Sequence, residues 1–281
     1  LVVVDLSSDI SGPYCTKLLS DYGADVIKIE PPGAGDPSRR AGPFLNKNVD
    51  NRSSGEFCRG RPVCLPVVGE HIGSPLRDDI NPPDIERSGL FLHLNTGKRS
   101  VTLDVESEDG RDILKRLVKN ADIVVENFEP GTIERLGLDY ERLSEINPAL
   151  IMTSISYFGR TGPQRNRRGD DIVAQATGGM LKLTGEPGRE PLMLPLSQAE
   201  YQAGLNAAVA VLCAVLYRDA SGEGQYIDVS VQEATASILE GTISTCEYSG
   251  HVMRRVGARH QQKCPSTIMQ TADGYVHIQS G

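Results

Sequence analysis

LVVVDLSSDISGPYCTKLLSDYGADVIKIE, residues 1–30, places two short apolar runs, Leu1 to Leu6 and Ala24 to Glu30, on either side of a segment with helical spacing from Pro13 to Tyr22. The Gly12-Pro13 pair starts that helix after a tight turn. The stretch reads as β-α-β, and the order continues downstream. Val101 to Val105 is strand-like, Glu108 to Lys119 is periodic, Asp122 to Val125 is apolar, helical stretches surround Ile133 and Leu143, and Leu150 to Ile155 is again apolar. Strands alternating with helices predict an α/β fold, a Rossmann-like parallel sheet with helices on both faces.

Between these units, residues 31–89 are rich in Gly, Pro, Ser, Asn and charge, and a surface insert is expected over about 46–87. Beyond Ile155 a polar turn region runs from Gly159 to Gly169, and a helix is predicted from Asp171 to Lys182. A long Ala-, Leu- and Val-rich helix follows from Gln198 to Arg218, then the strand Tyr226 to Val231 and a helix from Gln232. The expected domains are 1–220, a large sheet domain, and 221–281, a linker with the start of a smaller second domain. The chain opens without Met inside a strand and ends just after the strand-like run Gly274 to Gln279, as a fragment of a longer protein would.

The 281 residues carry 29 Lys and Arg against 37 Asp and Glu, a formal charge of -8 that disfavours nucleic acid and anionic membranes as partners. No uninterrupted apolar run approaches about 18 residues and no signal peptide is seen, so a cytoplasmic location is expected. The cysteines, Cys15, Cys58, Cys64, Cys213, Cys246 and Cys264, fit no zinc or redox spacing, and reduced thiols are expected. The first turn, Ser7 to Pro13, lacks the G-x-G-x-x-G dinucleotide fingerprint, although Gly12-Pro13 still aims a helix N-terminus outward, where an anion could sit. The five histidines are mutually distant, and no metal site is expected.

A series of strings then carries a resemblance. Asp5-Leu-Ser, Ser11-Gly-Pro and Gly23-Ala-Asp-Val-Ile-Lys-Ile-Glu-Pro-Pro-Gly-Ala-Gly-Asp36 come first. Leu94-Asn-Thr-Gly-Lys-Arg-Ser100, Asp122-Ile-Val-Val-Glu-Asn-Phe-Glu-Pro-Gly131, Arg135-Leu-Gly-Leu138, Asn147-Pro148 and Thr184-Gly185 follow, and Ser221-Gly-Glu-Gly-Gln225 with Asp228-Val-Ser close the series. Together they resemble the class III acyl-CoA transferases of the formyl-CoA and carnitine type, which are related to the α-methylacyl-CoA racemases. The resemblance implies two chains threaded as interlocked rings, and CoA or acyl-CoA as substrate with no permanently bound cofactor. It implies a small carboxylic acid as second substrate, and a homodimer or a heteromer with a homologous subunit.

The resemblance also assigns CoA contacts to Ser11, Lys98, Asn127, Phe128 and Arg135, and guanidinium and ammonium groups suit a ligand with three phosphate groups. An arginine that relatives carry after the second strand is Pro31 here, which leaves Arg39 or Arg40 to substitute. The family nucleophile is an aspartate four residues before a glycine in the long helix. Counting back from Ser221-Gly-Glu-Gly-Gln225 puts that glycine at Gly204 and the nucleophile at Glu200, a glutamate. The expected reaction moves CoA from a thioester to a carboxylic acid through an anhydride and an enzyme-bound thioester.

Asp171 is the alternative acidic residue, since racemases of the superfamily use an aspartate there with a histidine about thirty residues earlier. No histidine lies between His93 and His251, so Asp171 is expected to cap the helix it begins. Racemase or isomerase chemistry, and a catalytically impaired CoA-binding partner subunit, are the alternatives to transfer.

Overall fold

The computed structural model describes residues 1–44, 84–259 and 264–279. Cys58, Cys64 and nearly all of the expected 46–87 insert lie outside the described residues. Six parallel strands form the main sheet: β1 (Val2–Asp5), β2 (Asp25–Glu30), β3 (Arg99–Thr102), β4 (Ile123–Glu126), β5 (Ile151–Ser156) and β6 (Gln225–Ser230). Their order is β3-β2-β1-β4-β5-β6, with Val3 opposite Val26 and Ile123, and Ile151 opposite Gln225. This is the doubly wound arrangement in which a crevice opens where the winding reverses, between β1 and β4.

Both faces are covered. On one, α1 (Ser11–Asp21), α6 (Asp171–Thr177), α8 (Gln198–Ser221) and α9 (Val231–Ser237) enclose a core of Val3, Val26, Ile123, Ile151, Ile155 and the alanines of α8. On the other, α3 (Glu108–Val118), α4 (Thr132–Arg135) and α5 (Tyr140–Ile146) bury Leu114, Val118, Ile133, Leu138 and Leu143 against Val4, Val124 and Met152. The continuous apolar runs of β1 and β4 follow from this burial on both sides, and β5 is equally buried although Thr153, Ser154 and Ser156 stand in it. α8 is long and apolar enough by composition to cross a membrane, a feature hidden from a search for uninterrupted apolar runs. It lies instead against the sheet through Ala199, Ala203, Ala207, Ala208 and Val211.

Several boundaries differ from the sequence reading, each for a packing reason. The short α2 (Gly89–Asn95) begins where no periodicity was visible, capped by the Ser88 hydroxyl. β3 sits two residues earlier than expected because it is an exposed edge strand, registered by Ile27 opposite Arg99 rather than by a buried face. The expected helix 171–182 breaks into α6 and α7 (Met180–Leu183) at Gly178-Gly179. A Cβ on Gly178 would lie 2.8 Å from Thr235 of α9, and Gly179 has φ +92°. β6 and α9 belong to the sheet and its cover, so the sheet continues past residue 220. After α10 (Glu240–Ser249), β7 (Ser266–Gln270) and β8 (Tyr275–Gln279) form a separate antiparallel pair.

The carboxylate of Asp5, at the end of β1, is fully buried. Its Oδ1 accepts from the Ser7 hydroxyl, and its Oδ2 accepts from Thr16 at 2.6 Å and from the Lys98 ammonium at 3.0 Å. Lys28, which also bonds Asp36 at 2.8 Å, lies 4.0 Å away. Burial alone would raise the Asp5 pKa, but the two lysines and two hydroxyls hold it far below the usual carboxylate range. Its stabilisation is therefore complete above the ordinary carboxylate range and is lost as the pH falls below it. Asp5→Ala should lower unfolding stability by about 3 to 5 kcal/mol, because buried ammonium groups lose their partner. Urea denaturation at neutral pH measures this, and the difference from the parent should shrink under acid.

Candidate active site

The loops at the carboxyl ends of β1, β4 and β5 converge on the crevice. Asn127, just after β4, accepts from the Ser8 backbone N–H at 2.8 Å and donates back to the Ser8 carbonyl at 2.8 Å. The side chain thereby joins the β1 and β4 loops as a strand ladder would, and its amide also reaches the Ser11 hydroxyl at 3.4 Å. Phe128 is held through both main-chain groups. Its N–H donates to Glu126 Oε2 at 2.8 Å, and its carbonyl accepts from Arg160 at 3.0 Å. Arg160 in turn grips both oxygens of the buried Glu126, at 2.6 and 2.8 Å.

Glu200 stands in the first turn of α8, beside α1. A Cβ on Gly204, one turn later on the same face, would lie 2.5 Å from the Ser11 carbonyl. The glycine therefore permits the close helix contact that brings Glu200 to the start of α1. Tyr157, after β5, donates its hydroxyl to Glu200 Oε1 at 2.5 Å. Burial pushes the Glu200 carboxyl up to about 7, with Asp9 and Asp171 adding to the rise while Tyr157 and the Ser11 backbone oppose it. Leu196 and Ser197, immediately before α8, both take left-handed backbone conformations, φ +66° and +50°. Strained residues of this kind cluster at functional sites.

Asp171 does something other than cap its own helix. Asp170 caps α6, accepting from the Val173 N–H at 3.0 Å. Asp171 Oδ1 instead accepts from the N–H groups of Ala199 and Glu200, at 2.9 and 3.3 Å. α8 has no capping side chain of its own, so a residue from α6 supplies one and fixes the backbone of residue 200. The other oxygen of Asp171 accepts from Gln175.

Two cavities flank Phe128. One, of about 310 Å³, is lined by Asn127, Phe128, Tyr157 and the arginines 165, 167 and 168. The other, of about 360 Å³, is lined by Ser8, Pro31, Asp36, Arg40, Glu106 and Phe128. The candidate CoA residues separate accordingly. Asn127 and Phe128 are on the walls, and Arg135, exposed, makes a bidentate pair with Glu106 at 2.8 Å. The Ser11 side chain is buried against Asn127.

Lys98 is buried, and its three donors are spent on Asp5, the Pro13 carbonyl and Asn95, which leaves none for a phosphate. Of the two substitutes for an arginine at Pro31, Arg39 is held by Glu30 and lies 3.7 Å over the Phe91 ring, whereas Arg40 lines the second cavity. The sequence reading missed Tyr157 and the arginines at 165, 167 and 168. The run Arg165-Asn-Arg-Arg168 was a visible basic cluster, but nothing in its spacing tied it to Asn127.

Comparisons with known proteins bear on the family and the fold. Residues 1–61 and 68–281 match the sequence profile of CoA-transferase family III. The chain is 35% identical over 272 residues to a succinyl-CoA–D-citramalate CoA-transferase from Chloroflexus aurantiacus, covering 97% of this chain and 58% of the relative. It is 32% identical to a succinate–glutarate CoA-transferase from Agrobacterium fabrum, covering 99% and 62%. The crystal structure of a CAIB/BAIF family protein from Brucella suis superposes with a TM-score of 0.81 at 36% identity, covering 100% of this chain and 65% of that one. The chain thus spans about three fifths of the length of these curated relatives. A doubly wound sheet, together with a profile match over nearly every residue, places the chain in CoA-transferase family III.

Proposed function

We propose that the protein transfers coenzyme A from an acyl-CoA to a free carboxylic acid, with Glu200 as the covalent nucleophile. The observation that carries this is the Glu200 carboxylate, drawn out of water at the edge of the crevice and aimed at Tyr157 on the cavity wall. The extended CoA molecule fits a path through both cavities, with Phe128 between them. Arg40 and Arg135 then serve its phosphates, and the arginines at 165, 167 and 168 lie near the thioester end. Arg135 meets a phosphate by sharing or leaving Glu106. The names of the relatives make a dicarboxylic acid such as succinate the first acid to test.

In the reaction, a Glu200 oxygen attacks the thioester carbonyl carbon and the C–S bond breaks, giving an acyl-glutamyl anhydride and CoA thiolate. The thiolate attacks Cδ of Glu200 and expels the donor as its carboxylate, leaving a glutamyl-CoA thioester. The acceptor carboxylate then attacks Cδ and releases the thiolate. Attack of that thiolate on the acceptor's acyl carbon gives the new acyl-CoA and restores Glu200. Asp171 takes the N–H groups of Ala199 and Glu200 at the start of α8, which leaves the Tyr157 hydroxyl as the donor held against the reacting carboxylate.

Glu200→Gln in the complete protein should abolish transfer from succinyl-CoA while leaving CoA binding nearly unchanged. Mass spectrometry of the parent after succinyl-CoA addition should find the CoA adduct on the peptide containing Glu200. Parental transfer by the Gln variant, or an adduct on Asp171, overturns the assignment. Because the carboxyl must ionise to attack and its pKa is raised to about 7, kcat/KM should climb through that pH and level off above it.

CoA affinity by calorimetry should fall on the order of tenfold for Phe128→Ala, through loss of a buried aromatic contact. The loss for Arg135→Ala should be smaller and should fade with added salt, since the guanidinium is exposed. Unchanged affinity in Phe128→Ala would remove the two-cavity path.

A further inference from the structure

We infer that Tyr157, on the cavity wall, is the positioning residue of the transfer reaction, its hydroxyl holding the Glu200 carboxylate, and that the tyrosine is matched to glutamate rather than aspartate at position 200. The inference rests on Glu200 being the nucleophile. Its first support is reach. With 2.5 Å between Tyr157 Oη and Glu200 Oε1, removing one methylene from residue 200 withdraws the carboxylate by about 1.5 Å and breaks the hydrogen bond. The longer side chain is therefore used, because it spans the gap between α8 and the loop after β5.

The second support is that the tyrosine is itself fixed. Its carbonyl accepts from the Gln232 N–H at 3.0 Å and from the Ser230 hydroxyl at 3.4 Å, both at the junction of β6 and α9. Its side chain packs against Gly169, where an added Cβ would lie 2.7 Å from the Tyr157 Cγ and 2.8 Å from its Cβ, so any larger residue there would push the tyrosine aside. A donor held in this way orients the carboxylate before substrate arrives, and misplacement by about 1 Å can cost on the order of a hundredfold in rate. Asp171 also holds the backbone of residue 200, so the nucleophile is gripped at the main chain and at the carboxylate.

The chemistry of the pair follows. A phenol donating to a carboxylate favours the anion and opposes the rise in pKa caused by burial. The other titratable groups facing the pair are Asp9 from the β1 loop, Asp170 and Asp171 at the start of α6, and Tyr201 of α8. The three aspartates repel a second negative charge. The Tyr157 proton stays on its own oxygen throughout, since burial and these carboxylates drive the phenol pKa upward. The residue therefore orients the nucleophile without exchanging a proton with it.

The test is a double-mutant cycle in the complete protein, with kcat/KM for succinyl-CoA followed against pH for the parent, Tyr157→Phe, Glu200→Asp and the double variant. Tyr157→Phe keeps the ring against Gly169, so its unfolding midpoint should match the parent. Its kcat/KM should fall about tenfold and its acid limb should move up by about one pH unit, the equivalent of one charge-assisted hydrogen bond. Glu200→Asp should be slower than the parent, and adding Tyr157→Phe to it should change the rate little, because the contact is already gone. Replacing Tyr157 with 3-fluorotyrosine, a stronger donor of nearly the same shape, should move the acid limb the other way.

A parental rate and pH profile in Tyr157→Phe, or full additivity of the two losses, overturns the role of Tyr157. Retained transfer in Glu200→Gln overturns the underlying assignment instead, so the two failures are told apart.

Discussion

The position of everything around the crevice depends on one buried carboxylate. Asp5 cannot be hydrated where β1 ends, and an isolated charge there would cost several kcal/mol. It is satisfied only when Lys28 from β2, Thr16 from α1 and Lys98 from the turn after α2 all approach it. Those three contacts set where α1 begins and how the β1 loop turns. Ser8 and Ser11 then fall within reach of Asn127, and the β1 and β4 loops close as one wall. A charge cluster that looks at first like a ligand site is thus the anchor on which the ligand site stands.

From that anchor the electrostatics of the crevice follow. Two acidic side chains, Asp9 and Asp171, lie close enough to Glu200 to disfavour its charge. Asp171 accepts from two backbone N–H groups and from Gln175, while Glu200 has the Tyr157 hydroxyl and the Ser11 backbone to offset its desolvation. A poorly solvated carboxylate is a better nucleophile than a well-solvated one, provided that it can still ionise near neutral pH. The balance struck at Glu200 meets both demands of the proposed reaction.

The arginine distribution has the same logic. With a net charge of -8, a polyanionic ligand must be met by local rather than global attraction. Of the cations near the crevice, Lys28, Lys98, Arg39 and Arg160 are buried in ion pairs that hold the loops. Arg40, Arg135, Arg165, Arg167 and Arg168 remain at the cavities or on exposed surface. Burial is what separates structural from ligand-facing cations here, and it is not a property of the residue type.

Read alone, the sequence determined the layer architecture, because strands buried on both faces must be apolar throughout and their crossover helices must be amphipathic. β1, α1 and β2 were legible for that reason, and Gly204 with Glu200 could be located by counting along α8. The edge strand β3 and the break at Gly178-Gly179 were not legible, since one lacks a buried face and the other is imposed by Thr235 from a distant helix. Only the tertiary structure decided which groups meet. Lys98 turned inward to Asp5, Asp171 crossed to cap α8, and Tyr157 reached Glu200 across 43 positions of chain. Each of these is a contact between a donor and an acceptor held on different elements. Such contacts depend on distances that the sheet and its helices create, and no local pattern in the chain encodes them.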